Sequence, residues 1–433
     1  MRLLKEYLPI LVILFLLGGV YLGYANVWLC VAAFVIGLTR LNKEEFAFFM
    51  LLGGCEYFGV VGRILLGHFT LLPQFVCYLI VLLMICPRIV PLFRQNRMAN
   101  YLFFFLVSVF AISYLYGPQH AYSTTKLIRI AIYGLLCLWG FMLYNKSENI
   151  SGMKLAYMFA LAGVTYIVVG VTIYHFGDPS SILDFNYFRA AKNYGDEFDF
   201  AISYHSVGLA ALFGIVFLLS NRDDRFLFQK KPIILLLLLL YIAMVSQMRQ
   251  GILAIFVILF VRFILLVKHK VGYKFVGLLM IGVIACFMFN RAESDAFQSV
   301  EQAKSFEEAV NRPYDKSLSI IKEYPLFGKG LGGYSDDGKV AYPHNIFLEI
   351  INEQGFVGLI LVLIISLCAM RYNQFSWKAT NANGSYAILL LLALFVRVNA
   401  SSDLAENVYF FSLLFSIKNW KNISLYNSQI ENL

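Results

Sequence analysis

A chain of 433 residues that is 60% hydrophobic, 16% aromatic and only 14% charged is not an ordinary soluble domain, which carries about 25% charged residues. A formal charge of +9 would point to nucleic acid in a soluble protein. In so apolar a chain, positively charged cytoplasmic loops account for it, and no nucleic-acid partner is expected.

Runs such as "PIILLLLLLYIAMV" and "VGLILVLIISLCAM" have no polar face to turn toward water. They predict an all-α, polytopic integral membrane protein, because only structures that satisfy their own backbone groups cross a bilayer as single segments. In chain order the predicted spans are 7–24, 26–39, 46–62, 70–87, 100–116, 127–144, 154–175, 203–220, 232–247, 251–267, 273–289, 345–370, 384–397 and 405–419. Several are short, so the expected count is about 12–14 transmembrane helices within one helical domain over 1–433. The first follows Arg2 and Lys5 with no small-residue cleavage site, and reads as a span rather than a removed leader.

Charge sets the expected orientation. With the N-terminus inside and strict alternation, 20 of the 35 Lys and Arg residues fall inside and 14 outside, seven of these 14 in one long outer loop, 290–343. Long segments cross largely regardless of charge, so the short loops decide, and they place both termini inside. Within the long loop, 296–311 has a helical pattern, Pro313 opens a second short helix at 314–323, and "PLFGKGLGGYSDDGK" follows as a glycine-rich turn.

The seven cysteines sit in apolar segments without CxxC spacing and read as small core residues. The six histidines (His68, His120, His175, His205, His269 and His344) show no HxH or HExxH spacing. No metal and no other cofactor is expected. "GKGLGG" lacks a following GK[ST] and a strand–helix setting, so it is not read as a nucleotide loop.

Polar residues gather in "YPHNIFLEIINEQG", Tyr342–Gly355. His344 stands where the long loop re-enters the membrane. It is either a solvated or capping histidine or a general base with a suitable pKa. Asn345, Glu349, Asn352 and Glu353 follow at i, i+4, i+7 and i+8 and share one helix face. Carboxylates inside a span face a cavity or a partner helix. A second element, "SQMRQG" (Ser246–Gly251), puts Arg249 at an outer turn, where it either snorkels to headgroups or offers a fixed fork for phosphate oxygens. Arg312 in "AVNRPYDKSLSII" and Arg189 in "NYFRAAKNYG" are further outer cations, solvated or diphosphate-clamping. A phosphate-bearing donor that meets this face without a nucleotide motif is most simply lipid-linked.

The stretch "SLSIIKEYPLFGKGLGGY…YPHNIFLEIINEQGFVGLILVLII" resembles the bacterial O-antigen polymerase and O-antigen ligase superfamily. The matching residues are Pro325–Gly330, His344, Asn345, Leu348, Glu349, Glu353, Gly355 and Gly358. Ser246, Arg249 and Gly251 resemble an earlier serine–arginine–glycine element, here with a two-residue spacer. Arg189 and Gly195 resemble an upstream pair whose following asparagine is replaced around His205. The resemblance implies a GT-C-like glycosyltransferase architecture whose periplasmic loop, 290–343, carries part of the active site. It implies a metal-independent, inverting transfer from an undecaprenyl-diphosphate-linked glycan donor to an acceptor, in the bacterial inner membrane, with the active site facing the periplasm. His344 is then the catalytic base and Glu349 and Glu353 orient the site. Arg249, Arg312 and Arg189 hold the diphosphate, while Tyr342 and Asn345 meet substrate. A chain-length regulator protein is an expected partner. The "YPHNIFLE" form resembles polymerases more than ligases; ligase is the alternative, and a lipid-linked oligosaccharide flippase is the non-enzyme alternative. Flippases usually show two related halves, and no internal repeat is visible here.

Overall fold

A computed structural model describes residues 2–24, 26–54, 57–58, 72–144, 150–172, 204–220, 224–227, 229–246, 248–266, 282, 314–335, 342–372, 384–400, 403–404 and 408–416. Among them there is helix and no strand. In chain order the helices are α1 Arg2–Tyr21, α2 Val27–Thr39, α3 Lys43–Phe49, α4 Leu72–Ile85, α5 Ile89–Gln95, α6 Arg97–Tyr116, α7 Ala121–Ile128 and α8 Gly134–Tyr144. They continue with α9 Gly152–Thr172, α10 Tyr204–Leu219, α11 Lys230–Ser246 and α12 Arg249–Phe260. Then come α13 at 314–323, α14 Ile346–Tyr372, α15 Gly384–Ala400 and α16 Val408–Ser416.

Among the described residues, five helices are long and apolar enough to cross a membrane: Val76–Gln95, Arg97–Tyr116, Ala121–Leu143, Gly152–Thr172 and Ile346–Tyr372. Shorter apolar helices accompany them, among them Tyr7–Tyr21, His205–Leu219 and Gln250–Phe263. Large apolar side chains such as Leu115, Ile112, Ile360 and Leu367 lie exposed along α6 and α14. A protein in water would not leave such stripes bare, whereas lipid tails cover them at no cost. The protein is an all-helical, multi-span membrane protein. The predicted span 273–289 and the predicted helix 296–311 lie outside the described residues.

The chain divides into two compact units, Met1–Pro87 with Lys146–Lys270, and Arg88–Asn145 with Val271–Leu433. In the first, α9 is the centre and is buried on nearly every side. It packs on α10, α2 and α1. Glycines on α9 and α10 admit α11 closely: a Cβ on Gly163 would lie 2.9 Å from Ile242, and one on Gly214 2.6 Å from Leu239. Close backbone contact replaces the hydrophobic effect as the source of cohesion in lipid. Glu45 is buried at the start of α3. It completes a capping box with Asn42 and accepts from Ser151 N (2.8 Å) and Lys154 Nζ (3.2 Å), which ties α3 to the entry of α9.

In the second unit, α7 runs into α8 through a π turn at Arg129–Tyr133. α16 packs on α8, and α14 packs on α6. Ser412 Oγ donates to the Gly134 carbonyl at 2.7 Å, where a Cβ on Gly134 would meet Val408 and Phe103 at 2.7 Å. This unit carries the polar half-helix read from the sequence.

Candidate functional site

The re-entry segment ends in an unusual backbone. His344 has φ 58, in the left-handed region that side chains other than glycine seldom adopt. The kink turns the chain into α14. Asn345 then caps the helix: its Oδ1 accepts from Phe347 N (3.0 Å) and Leu348 N (3.1 Å), and its carbonyl accepts from Glu349 N. Two donors that would otherwise be orphaned are thereby satisfied. His344 is half-buried, with its ring edge-on to Tyr342 at 4.8 Å. Tyr342, His344 and Asn345 thus form one structured corner at the head of α14. Asn345 has a cap role there that the sequence reading did not assign it.

The stripe below is buried completely: Glu349, Asn352 and Glu353 are each 0% exposed. Glu349 and Glu353 converge on a residue that the sequence reading passed over, Lys126 of α7. Its ammonium bonds Glu349 Oε1, and lies 2.7 Å from Glu353 Oε1 and 3.6 Å from Asp403 Oδ1. Leu404 N donates to Glu349 Oε2 at 3.0 Å, and Tyr122 OH donates to Asp403 Oδ2 at 3.0 Å. The lysine also sits 5.5 Å from the centre of the Tyr122 ring. Asn352 turns elsewhere, its Nδ2 donating to Ser317 Oγ of α13 at 3.0 Å. The polar face therefore serves two neighbours: α7 with residues 403–404, and α13.

α14 is not one continuous helix. At Gly355 the backbone turns to φ 68, ψ −173 and the hydrogen-bond ladder breaks. The glycine-rich loop repairs both broken ends. Lys329 N and Gly330 N donate to the carbonyls of Asn352 (2.8 Å) and Glu353 (2.9 Å). Phe356 N and Val357 N donate to the carbonyls of Pro325 (2.9 Å) and Leu326 (3.1 Å). Breaks within a span persist where the freed groups find such partners. The loop also touches α6: Leu331 N donates to Ser113 O at 3.1 Å, and Tyr116 OH donates to Phe327 O at 2.5 Å. The sequence reading gave "GKGLGG" only the task of turning the chain; its amides clasp the broken span. A Cβ on Gly328 would meet the Glu353 carbonyl carbon at 2.5 Å, so only glycine admits the approach.

Arg249 belongs to the other unit, where it is the first residue of α12. No side chain caps that helix start. Ser246 Oγ accepts from Met248 N at 3.3 Å, and Gln250, nearly buried, pairs its Nε2 with His205 Nδ1 at 2.8 Å. The turn is packed on α10, where a Cβ on Gly208 would lie 2.6 Å from Met248. An uncapped helix N-terminus is a setting that favours anions. Arg189 and Arg312 lie outside the described residues. Among those described, no group of three His, Cys, Asp or Glu side chains is placed to hold a metal ion.

A broken, ion-paired half-helix within a multi-span helical chain is the class defined so far: a membrane protein with buried polar groups inside its spans. Residues 234–363 match the family model described as O-Antigen ligase. The match covers 130 of the 433 residues, and over that stretch the chain is similar to this family. The matched stretch contains Arg249, the clasp loop and the segment from His344 to Gly358. No curated protein matches the chain.

Proposed function

We propose that the protein is a glycosyltransferase that polymerises undecaprenyl-diphosphate-linked oligosaccharide repeat units at the periplasmic face of the bacterial inner membrane. The observation that carries this reading is the family match over 234–363, which brackets both polar elements, Arg249 and His344–Glu353. In this reading an acceptor hydroxyl attacks the anomeric carbon and the lipid diphosphate leaves. His344 takes the hydroxyl proton. Arg249, with Arg312 and Arg189, meets the charge that develops on the leaving diphosphate. A single displacement without metal inverts the anomeric carbon. Both termini lie in the cytoplasm, and a chain-length regulator binds the assembled protein.

The half-helix supports the assignment of roles. Its corner holds His344 in a costly conformation, and strain of that kind collects at functional sites. The second reading, O-antigen ligase acting on lipid A-core, is favoured by one observation, the description of the matching family. The test is reconstitution of the full chain with lipid-linked repeat units. Lengthened lipid-linked glycan is the expected product. Transfer only when lipid A-core is added would establish the ligase, and movement of the substrate across the bilayer without a new linkage would establish a flippase.

A further inference from the structure

Lys126 lies far outside the matched stretch of the chain, and nothing in its local sequence, "YSTTKLIRI", marks it. It is nonetheless 1% exposed and holds three carboxylates from two other segments. One ammonium against Glu349, Glu353 and Asp403 leaves a formal excess of negative charge inside a membrane span. A pair kept for packing alone would be neutral, because desolvating an unmatched charge is costly.

The three carboxylates are not equivalent. Glu349 is completed by the Leu404 amide, and Asp403 by the Tyr122 hydroxyl. Glu353 receives Lys126 on Oε1, while its buried Oε2 has no hydrogen-bond partner. The Gly332 amide of the clasp loop lies close enough to this carboxylate to interact with it, yet forms no hydrogen bond to Oε2. Leaving a buried charged acceptor open in this way is costly. The clasp loop also grips the Glu353 carbonyl, two positions before the break at Gly355, as it does that of Asn352. Its backbone is fixed by the loop and one carboxylate oxygen is fixed by Lys126, so the other oxygen has a defined place.

We propose that Lys126 is a positioning residue: it keeps Glu353 ionised and holds it with Oε2 free beside the break in α14, as a hydrogen-bond or proton acceptor for the transfer site. Lys126 itself touches no substrate. Among the described residues, the other charged or titratable groups facing Glu353 are Glu349, Asp403, Tyr122 and Tyr116. The catalytic part of this inference rests on the transferase reading; the ionisation of Glu353 does not.

The experiment uses the full chain in lipid vesicles. Infrared difference spectra between wild type and E353Q isolate the Glu353 carboxyl. At neutral pH the wild type is expected to show a carboxylate band there, and K126M a protonated carboxyl band. With lipid-linked repeat units, K126M is expected to lower kcat about 10- to 100-fold with a smaller change in KM, and K126R to recover part of it. A carboxylate band and a kcat in K126M equal to wild type would overturn the proposal. If K126M does not fold, K126M/E353Q removes one charge of each sign and is expected to fold and remain inactive. A double variant that transfers at the wild-type rate, or that also fails to fold, assigns the cluster to scaffolding and overturns the proposal. If wild type lengthens no glycan, the transferase reading fails, while the infrared comparison still decides the role of Lys126.

Discussion

Gly330 donates its backbone N–H to the carbonyl of Glu353 at 2.9 Å. That bond joins the glycine-rich loop to the buried carboxylate stripe, 23 positions apart in sequence. With its neighbour from Lys329 to Asn352 it replaces the helical bonds that the turn at Gly355 removes. The loop and the broken helix are one structural unit, so a change in either is felt in both.

The first prediction concerns that unit. A Cβ on Gly355 would lie 2.2 Å from the Leu326 carbonyl oxygen, at a backbone φ of 68. Neither obstacle is the end of a flexible side chain that could move away. Gly355→Ala is expected to destabilise the protein by about 3 kcal/mol, from strain and backbone overlap together. Gly328→Ala should do the same from the loop side. Gly18→Ala, with nothing within 4 Å of the new methyl, is the matched control and should leave stability unchanged or slightly raised. Thermal unfolding in detergent measures all three. An unperturbed midpoint in Gly355→Ala would show that the clasp is not the rigid element described.

Much of this architecture was legible because membrane helices announce themselves by composition. The spans 100–116 and 154–175 are found as α6 and α9. The short helix expected at 314–323 is found over those residues. The stripe of Glu349 and Glu353 followed from helical periodicity alone. What the sequence did not show is the partner. Lys126 sits more than 200 positions away and obeys no spacing rule relative to the glutamates. In the structure it is buried against carboxylates. The break at Gly355 was hidden for a related reason. Its flanks, polar before and apolar after, both read as helix, and only the backbone bonds to the distant "PLFGKG" loop make a break tolerable.

The second prediction separates capping from recognition at Asn345. Its Oδ1 serves two amides at the start of α14. Asn345→Ala removes the cap and is expected to cost about 1 kcal/mol. Asn345→Asp keeps an acceptor oxygen in place and adds a negative charge at a helix N-terminus, where it is favoured. That variant should retain wild-type stability. If Asn345→Asp unfolds as readily as Asn345→Ala, capping is not what the side chain contributes.

A third prediction follows from the setting of Arg249 at the uncapped start of α12. Under the proposed function a guanidinium there holds two phosphate oxygens at once, which an ammonium does not reproduce. Arg249→Lys is expected to weaken lipid-diphosphate binding about 10-fold with little change in thermal stability. Arg249→Ala should lose more. Binding of a water-soluble polyprenyl-diphosphate analogue, measured by calorimetry, reads this directly. Equal affinity in Arg249→Lys and wild type would leave the arginine as a headgroup anchor.

The fourth prediction tests the proposed base against the strained corner that carries it. His344 pays for a left-handed backbone, at roughly 1–2 kcal/mol, so removing the imidazole by different routes gives different results. His344→Ala keeps the strain and loses the ring. His344→Gly loses the ring and relieves the strain, and His344→Asn places a residue that tolerates this conformation. Stability should therefore rise from Ala to Asn to Gly. Activity should fall in all three alike, by about 100- to 10,000-fold in glycan lengthening, as expected when a general base is removed. Parallel assays of unfolding midpoint and product length separate the two effects. A variant that lengthens glycan at the wild-type rate while keeping the corner folded would exclude His344 as the base. The free oxygen of Glu353 would then be the remaining proton acceptor in the half-helix.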